Sequence, residues 1–208
     1  MSYVDEPAAR ARALAASGPR RLLGIAGPPG AGKSTLAEAL VDALDGAAVL
    51  VPMDGFHLAD RELARLGRAD RKGAPDTFDT YGYAALLARL RSPHPDETVY
   101  APCFERELEE PVAGALPVPP DVPLVITEGN YLLLDEPPWS TAVRPLLDEV
   151  WWVDVDDGVR VERLIARHVA FGKSPDRARS WVLRSDEANA RRVASGRKRA
   201  DVIVDVPG

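Results

Sequence analysis

Short runs of apolar residues alternate along the chain with longer segments in which apolar residues recur every three or four positions. The runs have the length of buried strands, and the periodic segments are typical of amphipathic helices. Because strands and helices alternate, we expect an α/β fold of three layers, with a parallel sheet covered by helices on both faces. The predicted strands are 20–26, 47–53, 124–127, 150–155 and 200–206. The predicted helices are 34–44, 58–66, 81–91, 139–147, 159–171 and 177–193.

Three segments lie outside this alternation. Residues 99–120 are rich in proline and charge and contain short β-like pieces, which predicts a hairpin or small substrate-side insertion outside the main sheet. Residues 68–80 are polar, with glycine and proline, and are expected to form a loop. Residues 1–19 are expected to form a helical extension. The chain has 208 residues, so we interpret residues 1–208 as a single domain.

The composition argues against several classes of protein. No apolar run approaches the roughly 20 residues of a membrane span, and the formal net charge of −6 argues against a nucleic-acid partner. Cys103 is the only cysteine, so no internal disulfide can form and a cytoplasmic location is expected. This composition is compatible with small-molecule partners. The sequence allows a homodimer, although no motif argues for one.

Basic residues are concentrated near the end of the chain. The segment 160–199 holds ten arginines and two lysines against four acidic residues, although the whole chain is acidic. Solvated helix faces would explain such a segment, but together with the phosphate loop described next it indicates a triphosphate site. We predict that residues 160–195 form lid helices.

The segment GPPGAGKST fits the phosphate-loop pattern G-x-x-x-x-G-K-[ST] without a gap, between a predicted strand and a predicted helix. In such a loop (P-loop), backbone N–H groups and the following helix N-terminus hold phosphate oxygens. Lys33 is expected to bridge the β- and γ-phosphates, and Ser34 to offer its hydroxyl to Mg²⁺. The predicted nucleotide-binding residues of the loop are Gly27, Pro28, Pro29, Gly30, Ala31, Gly32, Lys33, Ser34 and Thr35.

Two carboxylates end predicted strands at the edge where the P-loop lies. Asp54, in VPMDGFHL, could take the proton of an attacking hydroxyl, hold Mg²⁺ through water, or cap the following turn, and we favour the base. Glu128, in LVITEG, is expected to orient magnesium or its water, with a turn residue as the alternative. The sequence lacks the guanine-reading motif N-K-x-D, so ATP is the expected nucleotide.

These residues resemble the phosphoribulokinase/uridine kinase group of P-loop kinases. The likeness is carried, in order, by GPPGAGKST, PMDGFHL, ITEGNYLLLD, VRVERLIARH and RKRADVIVDVP. A subset often labelled nucleoside/nucleotide kinase family or fructokinase-like also shows the patterns found here at residues 71–79 and 172–190. Bacterial pantothenate kinase belongs to the same wider group, but this chain is shorter and lacks its extra regions.

The resemblance implies an ATP- and Mg²⁺-dependent kinase in which Asp54 is the catalytic base and Lys33 stabilises the moving phosphoryl group. It also implies that Arg163 and Arg167, one helical turn apart, contact phosphates from a closing lid. For Arg160 a surface pairing with Asp157 or Glu162 is the alternative. Lys173 is expected to reach the same phosphates.

The resemblance places the acceptor beside Asp54. The predicted substrate-binding residues are Asp54, His57, Arg71, Lys72, Asp76, Arg106, Glu128 and Asn130. This mixture of side chains is suited to a nucleoside-like or sugar-like acceptor, with a pantothenate-like one ranked below. A P-loop NTPase or an ATP-binding regulatory protein without a small-molecule acceptor is the competing interpretation.

Overall fold

The computed structural model describes residues 3–207, and its centre is a sheet of five parallel strands. The strands of this sheet are β1 (Arg21–Ala26), β2 (Ala48–Leu50), β5 (Leu124–Glu128), β6 (Glu149–Asp154) and β7 (Val202–Asp205). They are arranged in the order β2-β5-β1-β6-β7. The remaining strands, β3 (Val99–Glu105) and β4 (Glu110–Val118), pair with each other as an antiparallel hairpin within the predicted 99–120 segment.

Seven α-helices occur in the described chain. They are α1 (Asp5–Ala15), α2 (Lys33–Ala43), α3 (Asp60–Arg65), α4 (Thr80–Arg91), α5 (Asp157–Ala170), α6 (Pro175–Trp181) and α7 (Glu187–Val193). The predicted helix over 139–147 is instead a π turn (Trp139–Val143) followed by a 3-10 turn (Arg144–Leu146), because Pro145 lacks the N–H that would continue an α-helix. The predicted helix over 177–193 is divided by a π turn, Val182–Asp186.

Alternate residues of the strands face opposite layers. Leu23 and Ile25 of β1 point toward α1 and α2, whereas Leu22 packs in the core formed with α4 and the 139–147 segment. Trp151 and Trp152 are both buried and belong to opposite cores for the same reason. The three-layer α/β fold with a parallel sheet is therefore confirmed.

The strand register brings the functional ends of the strands together. Ile25 of β1 is opposite Glu128 of β5, and the Gly129 N–H donates to the Ile25 carbonyl at 3.0 Å. The loop that follows β1 therefore lies directly beside Glu128. In open parallel sheets, ligands bind at this carboxyl edge, where neighbouring connections run to opposite faces.

The hairpin closes over the turn that follows β2. A Cβ atom on Gly55 would clash with the Pro102 carbonyl oxygen, so only glycine allows β3 to approach this turn. The contact fixes the hairpin next to Asp54. Within residues 3–207, no helix is both long and apolar enough to cross a membrane.

Candidate active site

The P-loop is held in shape by its glycines and by α5. Gly30 and Gly32 have φ angles of 80° and 93°, which favour glycine. A Cβ atom on Gly30 would lie 2.7 Å from the Leu164 side chain and 2.8 Å from the Arg160 carbonyl. The loop therefore packs directly against α5, and the first residue of α2 is Lys33.

Lys33 is buried at the base of the loop. Its Nζ donates to the Asn130 Oδ1 at 2.7 Å and to the Pro28 carbonyl at 3.1 Å. Burial lowers the pKa of Lys33 from its usual value, and the nearby Glu128 and Asp54 carboxylates oppose that shift. The ammonium is thus fixed in direction before any phosphate binds.

Ser34 and Glu128 meet beside this lysine. The Ser34 hydroxyl donates to Glu128 Oε1 at 3.1 Å. Burial raises the pKa of Glu128, and the Asp54 carboxylate raises it further, so the pair of carboxylates favours a bound cation. No group of three or more His, Cys, Asp and Glu residues suited to a metal occurs in the described chain. Mg²⁺ usually takes only one or two carboxylates plus phosphates and waters, so this oxygen set fits it.

Asp54 lies in the 3-10 turn Met53–Phe56, and its side chain is 35% exposed toward the cleft. His57 Nδ1 is 2.8 Å from the Asp54 carbonyl, which can only accept, so Nδ1 carries the proton. The imidazole packs between the rings of Phe78 and Phe104, at centroid distances of 4.1 and 4.9 Å. Burial lowers the pKa of His57, which keeps the ring neutral with Nε2 as an acceptor.

A cleft of about 570 Å³ lies in front of these groups. It is walled by the P-loop, the Asp54 turn, the 72–73 loop, the β3–β4 hairpin and the helices α5 to α7, which were predicted to form a lid. Of the predicted site residues, it is lined by Pro29, Gly30, Lys33, Ser34, Asp54, His57, Lys72, Arg106, Glu128, Asn130 and Arg167. The structure therefore brings most of the predicted acceptor residues together with the P-loop.

Arg71 and Asp76 are placed differently. They form an ion pair at 3.0 Å in the exposed loop between α3 and α4, and neither lines the cleft. The Arg71 guanidinium is the main cause that lowers the pKa of Asp76. Each therefore satisfies the other's charge, and their role in substrate binding stays a prediction.

A second cavity of about 470 Å³ lies on the other side of the P-loop. It is lined by Gly32, Thr35 and Arg163, which do not line the first cleft. Both cavities share Gly30, Lys33, Ser34, Arg106 and Arg167. The shared residues mark the point where the two cavities meet.

The three lid arginines occupy different environments. Arg163 donates to the Pro207 carbonyl at 2.9 Å, and Arg167 faces both cavities. Desolvation lowers the pKa of Arg167, and repulsion from the Arg106 guanidinium lowers it further, as expected at an anion site.

Arg160 is buried and lines neither cavity. It pairs with Asp157 at 3.0 Å, one of the two partners considered from the sequence, but in a buried rather than a surface position, and with Glu187 at 2.5 Å. It also donates to the Pro29 carbonyl at 3.3 Å. Arg160 therefore ties the lid helix α5 to the P-loop and to α7.

Among the cleft residues that were not predicted from the sequence are four from the C-terminal helices, namely His168, Trp181, Asp186 and Asn189. Three of them, Trp181, Asp186 and Asn189, follow the break at 172–175, within the segment that resembles the subset pattern, but the sequence assigned them no role. The Asn189 side chain donates to the Gly73 carbonyl at 3.4 Å, and the Tyr131 hydroxyl donates to the same carbonyl. The sequence signal that could have indicated them is the presence of an aromatic, an acidic and an amide residue, Trp181, Asp186 and Asn189, inside an otherwise basic segment.

Comparison with known proteins agrees with this geometry. Residues 22–208 match the model of the phosphoribulokinase/uridine kinase family. The chain is 38% identical over 181 residues to a Schizosaccharomyces pombe protein named "putative uridine kinase C227.14", covering 83% of this chain and 76% of that protein. It is 37% identical over 153 residues to the "ATP-dependent kinase-like protein notR'" of Aspergillus versicolor, covering 70% of this chain and 88% of that protein.

A solved structure extends the likeness to the whole fold. The crystal structure of a "putative fructose transport system kinase" from Silicibacter sp. TM1040 superposes with a TM-score of 0.86 at 36% identity and covers 98% of each chain. The P-loop, the carboxylate at the end of β5 and these matches agree with one another. The chain belongs to the phosphoribulokinase/uridine kinase family of P-loop kinases.

Proposed function

We propose that this kinase transfers the γ-phosphoryl group of ATP, with Mg²⁺, to a hydroxyl group of a small metabolite. One observation carries the proposal: Asp54 lies in the same cleft as Lys33, Ser34 and Glu128. A carboxylate at this position is not needed to bind a nucleotide, but it can take the proton of an attacking hydroxyl.

The side chains divide the work between the two reactants. The P-loop N–H groups and Lys33 bind the phosphates, and Arg163 and Arg167 approach them from the lid. Asp54 orients the acceptor hydroxyl and accepts its proton as the oxygen attacks. Because phosphoryl transfer has a loose transition state, positioning and charge stabilisation supply most of the acceleration.

Mg²⁺, held by Ser34 and Glu128, would neutralise charge on the phosphate oxygens. Glu128 accepts from the Ser34 hydroxyl, which holds these two oxygen atoms 3.1 Å apart. Lys33 is oriented by Asn130 and by the Pro28 carbonyl. These residues need little rearrangement to receive a triphosphate.

The proposed acceptor is sugar-like or nucleoside-like. The neutral His57 offers Nε2 as a hydrogen-bond acceptor, and Asn130 offers an amide, and both suit hydroxyl groups. The name of the Silicibacter protein, a fructose transport system kinase, favours the sugar-like choice. A pantothenate-like acceptor ranks below both. We further propose a cytoplasmic protein that acts on small molecules; a homodimer stays a prediction.

The test is the Asp54→Asn variant, which keeps the shape of the side chain but removes the base. The purified protein is incubated with Mg-ATP and a panel of sugars, sugar derivatives, nucleosides and pantothenate, and phosphorylated products are followed by mass. We expect kcat to fall by about 10²–10⁴-fold in the variant, while the affinity for ATP changes little.

The matched control is Asp70→Asn, which removes a carboxylate that is 80% exposed and lies outside the cleft lining. It should transfer phosphate at the rate of the parent. Equal turnover by Asp54→Asn and the parent would sink the assignment of the base. ADP release that no acceptor accelerates would favour an NTPase.

A further inference from the structure

Five cationic side chains line the cleft, and they differ in what surrounds them. Three of them, Lys33, Arg106 and Arg167, also line the second cavity and so lie at the phosphate end. The other two, Lys72 and Lys173, line the cleft alone and so lie on the acceptor side. Of the five, these two are the candidates for charge recognition that is specific to the acceptor.

Lys72 is already neutralised. Its Nζ is 2.5 Å from Asp60 Oδ1, donates to the Glu109 carbonyl, and lies 5.4 Å from the centre of the Phe104 ring. A ligand would have to compete with these contacts. Lys72 is therefore suited to bracing the cleft wall.

Lys173 has no such neutralising partner. Its Nζ is 3.2 Å from His168 Nδ1 and 5.5 Å from the centre of the Trp181 ring. Within residues 3–207, no carboxylate comes within ion-pair distance of this ammonium. Its backbone N–H donates to the His168 carbonyl at 3.0 Å, so the side chain starts from a fixed point at the end of α5.

The contacts of His168 fix how Lys173 presents its protons. His168 Nε2 is 3.0 Å from Asp186 Oδ2, and a carboxylate accepts, so the ring proton is on Nε2. Nδ1 is then unprotonated, and its lone pair accepts a hydrogen bond from one of the three N–H groups of the ammonium. The other two protons of Lys173 stay available to a ligand in the cleft.

We propose that Lys173, positioned by His168 and Asp186, forms an anion-binding subsite on the acceptor side of the cleft. The acceptor of this kinase is then a hydroxylated metabolite that also carries a carboxylate or a phosphate ester. The inference rests on the proposed function and narrows it from sugar-like compounds to their anionic derivatives. It also moves Lys173 from the nucleotide phosphates, where the sequence placed it, to the second substrate.

The first test compares acceptors that differ only in charge. The protein is assayed with Mg-ATP against glucose, gluconate and glucose 6-phosphate, and against ribose, ribonate and ribose 5-phosphate. We expect kcat/KM to be at least tenfold higher for an anionic member of a set than for its neutral parent. The carboxylate and phosphate members distinguish the two kinds of anion. A neutral sugar that is turned over best would overturn the proposal.

The second test uses Lys173→Gln, with Lys173→Arg as the conservative variant. For the anionic acceptor, Lys173→Gln should raise KM at least tenfold and leave KM for ATP within twofold, and Lys173→Arg should restore most of the loss. The control is Arg179→Gln, which removes a cation from an exposed position of the neighbouring helix α6, outside the cleft lining. If Lys173→Gln raised KM for ATP as much as KM for the anionic acceptor, Lys173 would be assigned to binding the nucleotide and the proposal would be rejected.

A binding measurement separates this inference from the proposed function. The protein is saturated with Mg²⁺ and a non-hydrolysable ATP analogue, and gluconate and glucose 6-phosphate are titrated by calorimetry. Lys173→Gln should weaken binding of one of these anions at least tenfold relative to the parent. Binding that depends on Lys173, without any turnover, would keep the subsite and reject the kinase reaction. Binding of neither anion, or equal binding by the two proteins, would reject the subsite.

Discussion

The buried centre of the proposed phosphate end is built from two adjoining strand ends, to which the hairpin and α5 add Arg106 and Arg167. The proposed acceptor side draws all its side chains from separate parts of the chain. Lys33 and Ser34 follow β1, and their partners Glu128 and Asn130 follow β5, which pairs with β1. The acceptor side instead combines the Asp54 turn, the 72–73 loop, the hairpin and the lid. The first arrangement follows from sheet register, and the second depends on how distant segments pack.

The two regions also differ in how their charges are satisfied. Lys33 and Glu128 are buried, and both have pKa values shifted from their usual range by burial. On the acceptor side, Lys72 and Lys173 are only partly buried and are held by an ion pair and by aromatic rings. The phosphate end is therefore preorganised for one kind of ligand, and the acceptor side can be altered with less effect on the fold.

Apart from the loss expected for Asp54→Asn, the largest effect is expected at the phosphate end. Lys33→Met removes the ammonium but keeps an unbranched side chain, and kcat/KM should fall by about 10²–10³-fold because charge on the transferring group loses its stabilisation. Initial rates of ADP release with saturating acceptor provide the measurement. Lys198→Met, at an exposed lysine that lines neither cavity, should behave as the parent. A kcat/KM of Lys33→Met within tenfold of the parent value would contradict the view that the phosphate end is the more sensitive region.

A smaller effect is expected where the lid meets the P-loop. Arg160→Met removes a buried guanidinium from Glu187 and the Pro29 carbonyl, and should lower the free energy of unfolding by about 2 kcal/mol, since hydrogen bonds to charged groups are lost. Urea unfolding measures this change in the free energy of unfolding. Arg177→Met, at an exposed position of α6, is the control and should change stability by less than about 0.5 kcal/mol. Equal stability of the two variants would show that Arg160 contributes nothing to this junction.

The smallest effect is expected on the acceptor side and depends on pH. Burial lowers the pKa of His57 below its ordinary value of 6.5, so the unfolded chain binds the proton more readily. His57 therefore costs no stability above that value, and it destabilises the fold progressively as the pH falls below it. Melting temperatures from pH 8 to pH 5 should fall more steeply for the parent than for His57→Gln. His94→Gln, at an exposed histidine, should keep the slope of the parent. Parallel curves for the parent and His57→Gln would contradict a buried neutral imidazole.

The sequence was most informative where function depends on a contiguous motif. The P-loop, the order of strands and helices, and the position of Glu128 follow from local patterns and from the rule that parallel strands share a carboxyl edge. The burial of Arg160 was harder to predict, because its spacing from Arg163 and Arg167 places it on the same helix face whether that residue is buried or exposed. Only the close packing of α5 on Gly30 decides between the two.

The acceptor side was predictable only in part. Asp54 and His57 are neighbours in a motif and both line the cleft, whereas Arg71 and Asp76, which are also close in sequence, pair with each other outside it. His168 and Asp186 meet across the lid break and a π turn, and no local periodicity indicates a contact between them. Contacts of this kind depend on tertiary packing, which single-sequence patterns do not encode.

The Gly73 carbonyl, which accepts from both Tyr131 and Asn189, has a consequence for turnover. A carbonyl oxygen has two lone pairs. Here one accepts a hydrogen bond from the buried Tyr131 and the other accepts one from Asn189 of α7. Lid opening would release the Asn189 bond at 3.4 Å and leave the Tyr131 bond intact. In the proposed reaction, the 72–73 loop would then keep its conformation between catalytic cycles, so each new substrate would meet an ordered surface and lose less entropy on binding.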